Sequence, residues 1–183
     1  MKKFFFIANN PKNLKYLNEK IFNKNDIIIV FNKSLFENHF SFKNAFKIFH
    51  FYRSKINIFQ GIQNIKNCNC NKFFIGKSTF SENHLKQIKN YGNSKNCFDN
   101  YNDMLEKFEY NKLNKSPQAG SLVFEFLKLN NYFEKNTQIF LVGFTSIYKK
   151  TLWEGHSKEL EDNYFKFQME YYTNLKYENN HLT

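Results

Sequence analysis

The chain has 183 residues, which suits one domain with a substantial buried core, and we expect residues 1–183 to form a single domain. Its net charge is +11, but all of its 27 basic residues except Arg53 are Lys. Proteins that bind specific phosphates and bases favour Arg over Lys. The abundance of Lys has a simpler explanation, because the codons of Lys, Asn, Phe, Ile and Tyr are all rich in A and T. Composition therefore does not indicate a nucleic-acid partner, and a basic nucleic-acid-binding protein ranks third among our hypotheses.

Membrane and metal signals are weak in this sequence. No segment approaches the roughly 20 apolar residues that span a bilayer, and FFFIA (4–8) is too short for a signal peptide. The odd number of cysteines (Cys68, Cys70 and Cys97) indicates a reducing compartment, and Cys-x-Cys spacing is unusual for zinc, even with His84 nearby. We expect a cytoplasmic protein without a bound metal. Its excess of Lys would allow peripheral association with the inner membrane, and its oligomeric state stays open.

The first 32 residues predict a strand, a helix and a second strand. KKFFFIA (2–8) and DIIIVFN (26–32) are short apolar runs of the kind buried on both faces of a sheet. Between them, LKYLNEKIF (14–22) has apolar residues at helical spacing: Leu14, Leu17, Ile21 and Phe22. This βαβ unit predicts a parallel sheet.

The rest of the chain continues the alternation. Further strands are predicted at 46–52, 72–77 and 137–144, and helices at 81–92, 102–113 and 157–177. The 116–133 stretch predicts a Pro-containing turn followed by an apolar helix. The last helix has one apolar stripe of Leu160, Tyr164, Phe167 and Tyr171. We expect an α/β fold with an open, mostly parallel, Rossmann-like sheet and helices on both faces. Polar clusters at Asn9–Asn10, Asn32, Ser116–Ser121 and Tyr148–His156 should then meet at the carboxyl ends of the strands.

Two of these clusters have both a binding and a structural interpretation. ANNPKN (8–13) is not a glycine-rich dinucleotide fingerprint; its Asn9 and Asn10 either bind a base or ribose, or only shape the turn. In SPQAGS (116–121), Gly120 and the helix start either attract a phosphate or form an ordinary helix entry.

His156 is the candidate catalytic base, because its unperturbed pKa lies near operating pH. Glu161 lies five residues further on and could orient the imidazole, while Ser157 is a plausible helix N-cap. The alternative is that His156 is only a neighbour of that cap. No Asp-x-Asp metal motif occurs, and Asp99 and Asp103 fit a helix start better than a magnesium site, so a metal-independent reaction is favoured.

Taken together, these clusters resemble the motifs of sialyltransferases, the bacterial members in particular. SPQAGSLVFEFLKLNNYFEKNTQIFLVGF (116–144) looks like their sialyl motif S, with a Pro-x-x-Gly turn, a helix, and a strand ending in Gly-Phe. HSKELE (156–161) resembles the very small motif, in which His is followed after four residues by Glu. IANNPKN (7–13) and VFNKSLF (30–36) resemble the first turn and the end of the second strand. The motifs occur in the family's order over nearly the whole chain.

The resemblance implies an inverting, metal-independent glycosyltransferase that needs no cofactor. It would move sialic acid or a related nonulosonate from a CMP-sugar to a cell-surface glycan such as lipooligosaccharide or capsule. His156 would be the base, Glu161 its support, and Tyr148 a ligand of the leaving phosphate. The implied nucleotide-binding residues are Asn9, Asn10, Asn32, Ala119, Gly120, Ser121 and Phe144. The expected fold is GT-A-like with a reduced or absent lid, since only 145–155 separate Phe144 from His156; the alternative function is a non-catalytic nucleotide- or glycan-binding relative.

Overall fold

A computed structural model gives the fold and describes residues 1–32, 36, 39–52, 71–74, 93–94, 98–144 and 156–178. The strands are β1 (Lys3–Ile7), β2 (Asp26–Phe31), β3 (Lys47–Tyr52), β4 (Asn71–Phe74), β5 (Asn93–Ser94), β6 (Gln138–Val142) and β7 (Leu175–Glu178). The α-helices are α1 (Asn13–Glu19), α2 (Phe98–Lys107), α3 (Ala119–Leu129) and α4 (Lys158–Tyr171). Two 3₁₀ turns lie at Phe40–Asn44 and Tyr110–Leu113.

The described strands form one sheet in which every pairing is parallel. Their order is β5-β4-β3-β2-β1-β6-β7. The chain builds outwards from β1 in one direction through β5, and then resumes on the other side of β1 with β6 and β7. The strand order therefore reverses between β1 and β6, where open α/β sheets have their ligand crevice. The prediction of an open, parallel, Rossmann-like sheet is confirmed.

Helices cover both faces of this sheet, which explains the unbroken apolar runs of the central strands. In β1, Phe4 and Phe6 pack into one core together with α3 and α4, while Phe5 and Ile7 pack into a second core together with α1. A strand buried on both faces has apolar residues at successive positions, because no position faces water. The prediction of helices on both faces is confirmed. The 145–155 segment, where a reduced or absent lid was expected, lies outside the described residues, and the GT-A-like refinement stays an expectation.

Several predicted boundaries differ from those observed. Helix α1 ends at Glu19 instead of residue 22, and the predicted 102–113 helix instead starts at Phe98, ends at Lys107 and is followed by a 3₁₀ turn. The predicted strand at 46–52 is confirmed as β3. The strand predicted at 72–77 corresponds to β4, which ends at Phe74. The predicted helix 81–92 lies outside the described residues.

The prediction of one helix over 157–177 is wrong at its carboxyl end. Helix α4 ends at Tyr171, and Leu175–Glu178 form β7, which pairs with β6. The open edge of β6 offers unpaired backbone groups to an incoming strand, and the helical spacing of the sequence contains no sign of that edge. The buried face of α4 is also rotated from the predicted stripe, since Tyr171 is exposed and the buried residues are Leu160, Glu161, Tyr164, Phe165 and Gln168.

No described helix is both long enough and apolar enough to cross a lipid bilayer; this holds for the ranges given above.

The two strands at the reversal point are joined by the side chain of Asn13. Its amide nitrogen donates to the carbonyl of Ala8 at 2.8 Å, just after β1, and to the carbonyl of Val142 at 3.3 Å, at the end of β6. The next residue, Gly143, has φ +74, and a Cβ there would collide with the Asn13 carboxamide. Asn13 is itself buried. The first turn of α1 thus ties together the carboxyl ends of β1 and β6.

We expect Asn13→Ala to lower the free energy of unfolding by about 1–3 kcal/mol, because the half-buried Ala8 carbonyl loses the Asn13 donor and the Val142 carbonyl keeps only the Ala8 amide. Urea denaturation measures this directly. The matched control is Asn163→Ala, an exposed asparagine within α4, for which we expect a change within about 0.5 kcal/mol. Equal effects of the two substitutions would contradict the role assigned to Asn13.

Candidate functional site

Most of the described residues predicted to bind substrate lie along the carboxyl edge of the sheet, linked by a series of contacts. The Asn9 amide, after β1, donates to the Phe31 carbonyl at the end of β2, at 3.0 Å. The Phe31 ring packs edge-on against Phe144, after β6, with 6.0 Å between centroids. Phe144 in turn lies over Gly120 at the start of α3. Elements distant in the sequence therefore converge as the topology predicts.

The asparagines that follow β1 and β2 differ in their hydrogen bonds and in their exposure to solvent. Asn10 Oδ1 accepts from the Lys12 amide at 2.9 Å, which forms an Asx turn, so the turn-shaping interpretation holds for this oxygen. Asn10 Nδ2 is buried and has no hydrogen-bond partner in the part of the chain that the structure describes. Asn9 is exposed, and Asn32 is half-buried with a left-handed φ of 49°. These amides stand at the ends of β1 and β2, where a ligand would meet them.

The 116–121 segment is an ordinary helix entry in part. A Cβ at Gly120 would collide with the Phe144 ring, so the absence of a side chain there serves the packing of that ring. Ser121 is buried, and its hydroxyl donates to the Gln118 carbonyl at 3.1 Å. Ala119 and Phe144 are half-buried and remain within reach of solvent. Of the residues predicted here, these two are better placed to contact a ligand than Gly120 or Ser121.

His156 is oriented by the same segment. Its Nδ1 lies 2.7 Å from the carbonyl oxygen of Ser116. A carbonyl can only accept, so Nδ1 carries a proton and donates it. In the neutral ring, Nε2 is then unprotonated and is the basic nitrogen. The ring is half-buried. This is the tautomer that a general base needs if its second nitrogen is to receive a proton.

Ser157 caps α4, as predicted, because its hydroxyl accepts from the Leu160 amide at 3.4 Å. Glu161 lies in the first turn of the same helix and is buried. Its Oε1 accepts from the Tyr110 hydroxyl and from the Gln118 amide, both at 2.7 Å. The carboxylate therefore lies at the amino-terminal end of two helices, α3 and α4, where the positive end of each helix dipole stabilises negative charge.

Glu161 and His156 are both bonded to the backbone of the 116–118 segment. The carboxylate holds the amide of Gln118, and two residues earlier the carbonyl of Ser116 holds the imidazole. Loss of the first bond would release the segment that sets the second. The supporting role expected for Glu161 stays a prediction, and these two bonds give it a physical route.

A second buried pair joins the helices further along. The Tyr164 hydroxyl donates to Glu125 at 2.8 Å, and Lys128 lies 2.6 Å from the same carboxylate oxygen. Burial and the neighbouring Glu125 raise the pKa of Tyr164 well above its ordinary value. The hydroxyl therefore stays a donor throughout the physiological pH range. This pair holds α3 against α4 and keeps their amino-terminal ends in register beside the site.

Sequence reasoning missed three residues on which this geometry depends: Asn13, Tyr110 and Gln118. Tyr110 lies in a 3₁₀ turn without periodicity, and Gln118 acts through its backbone amide, so neither carries a sequence signal. Tyr148, the predicted phosphate ligand, lies outside the described residues, as do the cysteines. Within the described ranges, no three His, Cys, Asp or Glu side chains are grouped as metal ligands would be.

We expect Glu161→Ala to destabilise the protein by roughly 2–4 kcal/mol, since it removes a buried carboxylate that accepts from the buried Tyr110 hydroxyl and from the half-buried Gln118 amide. Chemical denaturation followed by circular dichroism provides the measurement. Glu159→Ala removes an exposed glutamate from the same helical turn and should cost no more than about 1 kcal/mol. Similar losses for both variants would argue against the buried bonds.

We also expect His156 and His39 to adopt opposite neutral tautomers. His39 Nδ1 accepts from the Ser41 amide at 3.3 Å, which leaves the proton on Nε2, whereas His156 Nδ1 donates to a carbonyl. Nitrogen NMR of protein labelled in histidine distinguishes the two forms above the pKa of the rings. A proton found on Nε2 of neutral His156 would contradict the bond to Ser116.

No protein-family model, curated protein or solved structure matches this chain. Its function is therefore inferred from its residues and their geometry.

Proposed function

We propose that this protein is an inverting, metal-independent glycosyltransferase that uses a CMP-activated sialic acid or related nonulosonate. In the reaction, an acceptor hydroxyl attacks the anomeric carbon of the donor from the face opposite the nucleotide. The new bond joins the acceptor oxygen to that carbon, the bond from carbon to the phosphate oxygen breaks, and CMP leaves with the electron pair. The acceptor proton passes to Nε2 of His156.

The hydrogen bond from His156 to the Ser116 carbonyl carries the most weight for this function. It puts the proton of the neutral ring on Nδ1 and the basic lone pair on Nε2, and it ties the ring to the residue that precedes the Pro117–Gly120 segment. Both lie at the carboxyl edge of a parallel sheet, the edge at which such folds bind nucleotides.

The donor nucleotide would bind along the same edge. Asn10 Nδ2 is a buried donor that lacks a partner among the described residues, and a base or ribose oxygen would satisfy it. Asn9, Asn32, Ala119 and Phe144 complete the nucleotide site in this proposal. Tyr148 would receive the leaving phosphate, with Lys149 or Lys150 assisting. The acceptor is proposed to be a cell-surface glycan.

Hydrolysis or transfer of CMP-sialic acid tests this proposal. We expect His156→Asn to lower the turnover rate by about 10²–10⁴-fold while CMP binding is kept, because Asn can still donate to the Ser116 carbonyl but has no basic nitrogen. The matched control, His39→Asn, changes a histidine on the other layer of the fold and should keep full turnover. Thermal-shift titration with CMP reports binding for every variant.

Three outcomes would decide against the enzyme. If no cytidine nucleotide stabilises the wild-type protein, both the donor and the site are wrong. If CMP binds but no CMP-sugar turns over, the protein is the non-catalytic nucleotide-binding relative. If His39→Asn reduces turnover as much as His156→Asn, the effect belongs to the fold and not to a base.

A further inference from the structure

Four apolar side chains are exposed on the layer formed by α1 and the 3₁₀ turn at Phe40–Asn44. They are Leu14 (49% exposed), Ile21 (82%), Phe40 (70%) and Phe46 (53%), and we call them the α1 face. Leu14 and Ile21 belong to the apolar pattern that predicted α1, yet neither faces the core. Scattered exposed apolar residues are ordinary, but a group on one layer indicates an interaction surface.

Contacts beneath the surface bring the members of the α1 face together. Phe22, next to Ile21, packs on Phe42 of the 3₁₀ turn with 5.6 Å between ring centroids. His39 lies 3.2 Å from Asn18 of α1, and its ring stacks on Phe40 at 4.6 Å.

Phe46, another member of the α1 face, is held beside the start of β2. The Phe46 amide donates to the carbonyl of Asp26, the first residue of β2, at 2.8 Å. Phe46 therefore lies beside the 20–25 loop that leads from α1 into β2. All four exposed side chains belong to two segments, 13–25 and 39–46, that are packed against one another.

The charge around the α1 face is strongly positive. Residues 12–25 and 39–47 contain six lysines and one acidic residue, Glu19. Lys15, Lys24, Lys43 and Lys47 are exposed, and the Lys47 ammonium lies 5.3 Å from the centroid of the Phe46 ring. Long Lys stems can lie along apolar surface while their charged ends reach outward.

The layer on the other face of the sheet contains more acidic residues than lysines. Segments 98–135 and 156–178, which carry α2, α3 and α4, contain eight lysines and eleven acidic residues. That layer also has exposed apolar side chains, including Leu113 and Leu129, but the neighbouring Lys112 and Lys128 are paired with Glu109 and Glu125. Within the ranges that the structure describes, a net positive charge thus accompanies exposed apolar groups on the α1 layer, and a net negative charge accompanies them on the opposite layer.

We propose that the α1 face docks this protein on an anionic lipid bilayer. Ile21, Phe40 and their neighbours would enter the boundary between headgroups and acyl chains, and the lysines would contact lipid phosphates. A second copy of the chain would bring two positive surfaces together, which repel each other. A nucleic acid would leave the apolar groups without a partner. His156 and its segment belong to the opposite layer, away from Ile21 and Phe40.

Co-sedimentation with vesicles tests this surface. We expect binding to vesicles of mixed phosphatidylcholine and phosphatidylglycerol, weak binding to phosphatidylcholine alone, and loss of binding as salt is raised. Ile21→Ser with Phe40→Ser should weaken binding at least about tenfold, because the apolar contribution is lost. Lys43→Ala with Lys47→Ala should weaken it by roughly fivefold per lysine.

The matched control is Leu113→Ser with Leu129→Ser, which removes two exposed apolar side chains from the opposite layer and should leave vesicle binding unchanged. Circular dichroism verifies that each variant folds. Docking would be overturned by equal binding to neutral and anionic vesicles, or by equal loss in the control.

Two further outcomes would assign the surface to another partner and overturn the proposal. One is self-association in sedimentation velocity that Ile21→Ser with Phe40→Ser abolishes. The other is nucleic-acid binding that depends on the lysines but not on the apolar residues. No nucleotide is needed for any of these measurements, so their result does not depend on the proposed reaction.

Discussion

The whole structure depends on the burial of β1 and β2 on both faces. An all-parallel sheet needs a crossover between each pair of neighbouring strands, and each crossover must pack on one face. Phe4 and Phe6 lie in one core and Phe5 and Ile7 in the other, so neither helical layer can be lost without exposing half of β1. With right-handed crossovers, helices reach both faces only if the chain changes direction within the sheet, and here that change lies between β1 and β6.

The position of the candidate site depends on where the crossover helices start. A helix that returns from the carboxyl end of a parallel strand starts at that edge, so α3 and α4 bring their amino-terminal ends to the same place. Glu161 is stabilised there by two donors and by two helix dipoles, and it fixes the segment that orients His156. The buried carboxylate is therefore both part of the fold's stability and part of the geometry of the candidate base. The α1 face lies on the other layer, so the proposed docking surface and the candidate base belong to opposite sides of the sheet.

The spacing of apolar and polar residues over short stretches predicted part of the fold correctly. The apolar runs of β1 and β2, the helix start at Ser157 and the class of the fold all follow from short-range spacing. The helical pattern failed where tertiary contacts decide, as in the last predicted helix, where the free edge of β6 recruits Leu175–Glu178 as a strand. Exposure was also misjudged at Leu14, Ile21 and Tyr171, because helical spacing does not tell which apolar residues the rest of the chain will cover.

By itself, the sequence determined a parallel α/β fold and placed polar clusters after its strands, because burial on two faces leaves a readable apolar run and strand ends leave polar residues. It also singled out His156 as a titratable group near a helix cap. Only the tertiary structure decided which nitrogen of that ring is protonated, since the Ser116 carbonyl lies 40 residues away in the chain. It likewise decided the partners of Glu161, because hydrogen bonds between distant segments depend on how the layers pack and leave no trace in local spacing.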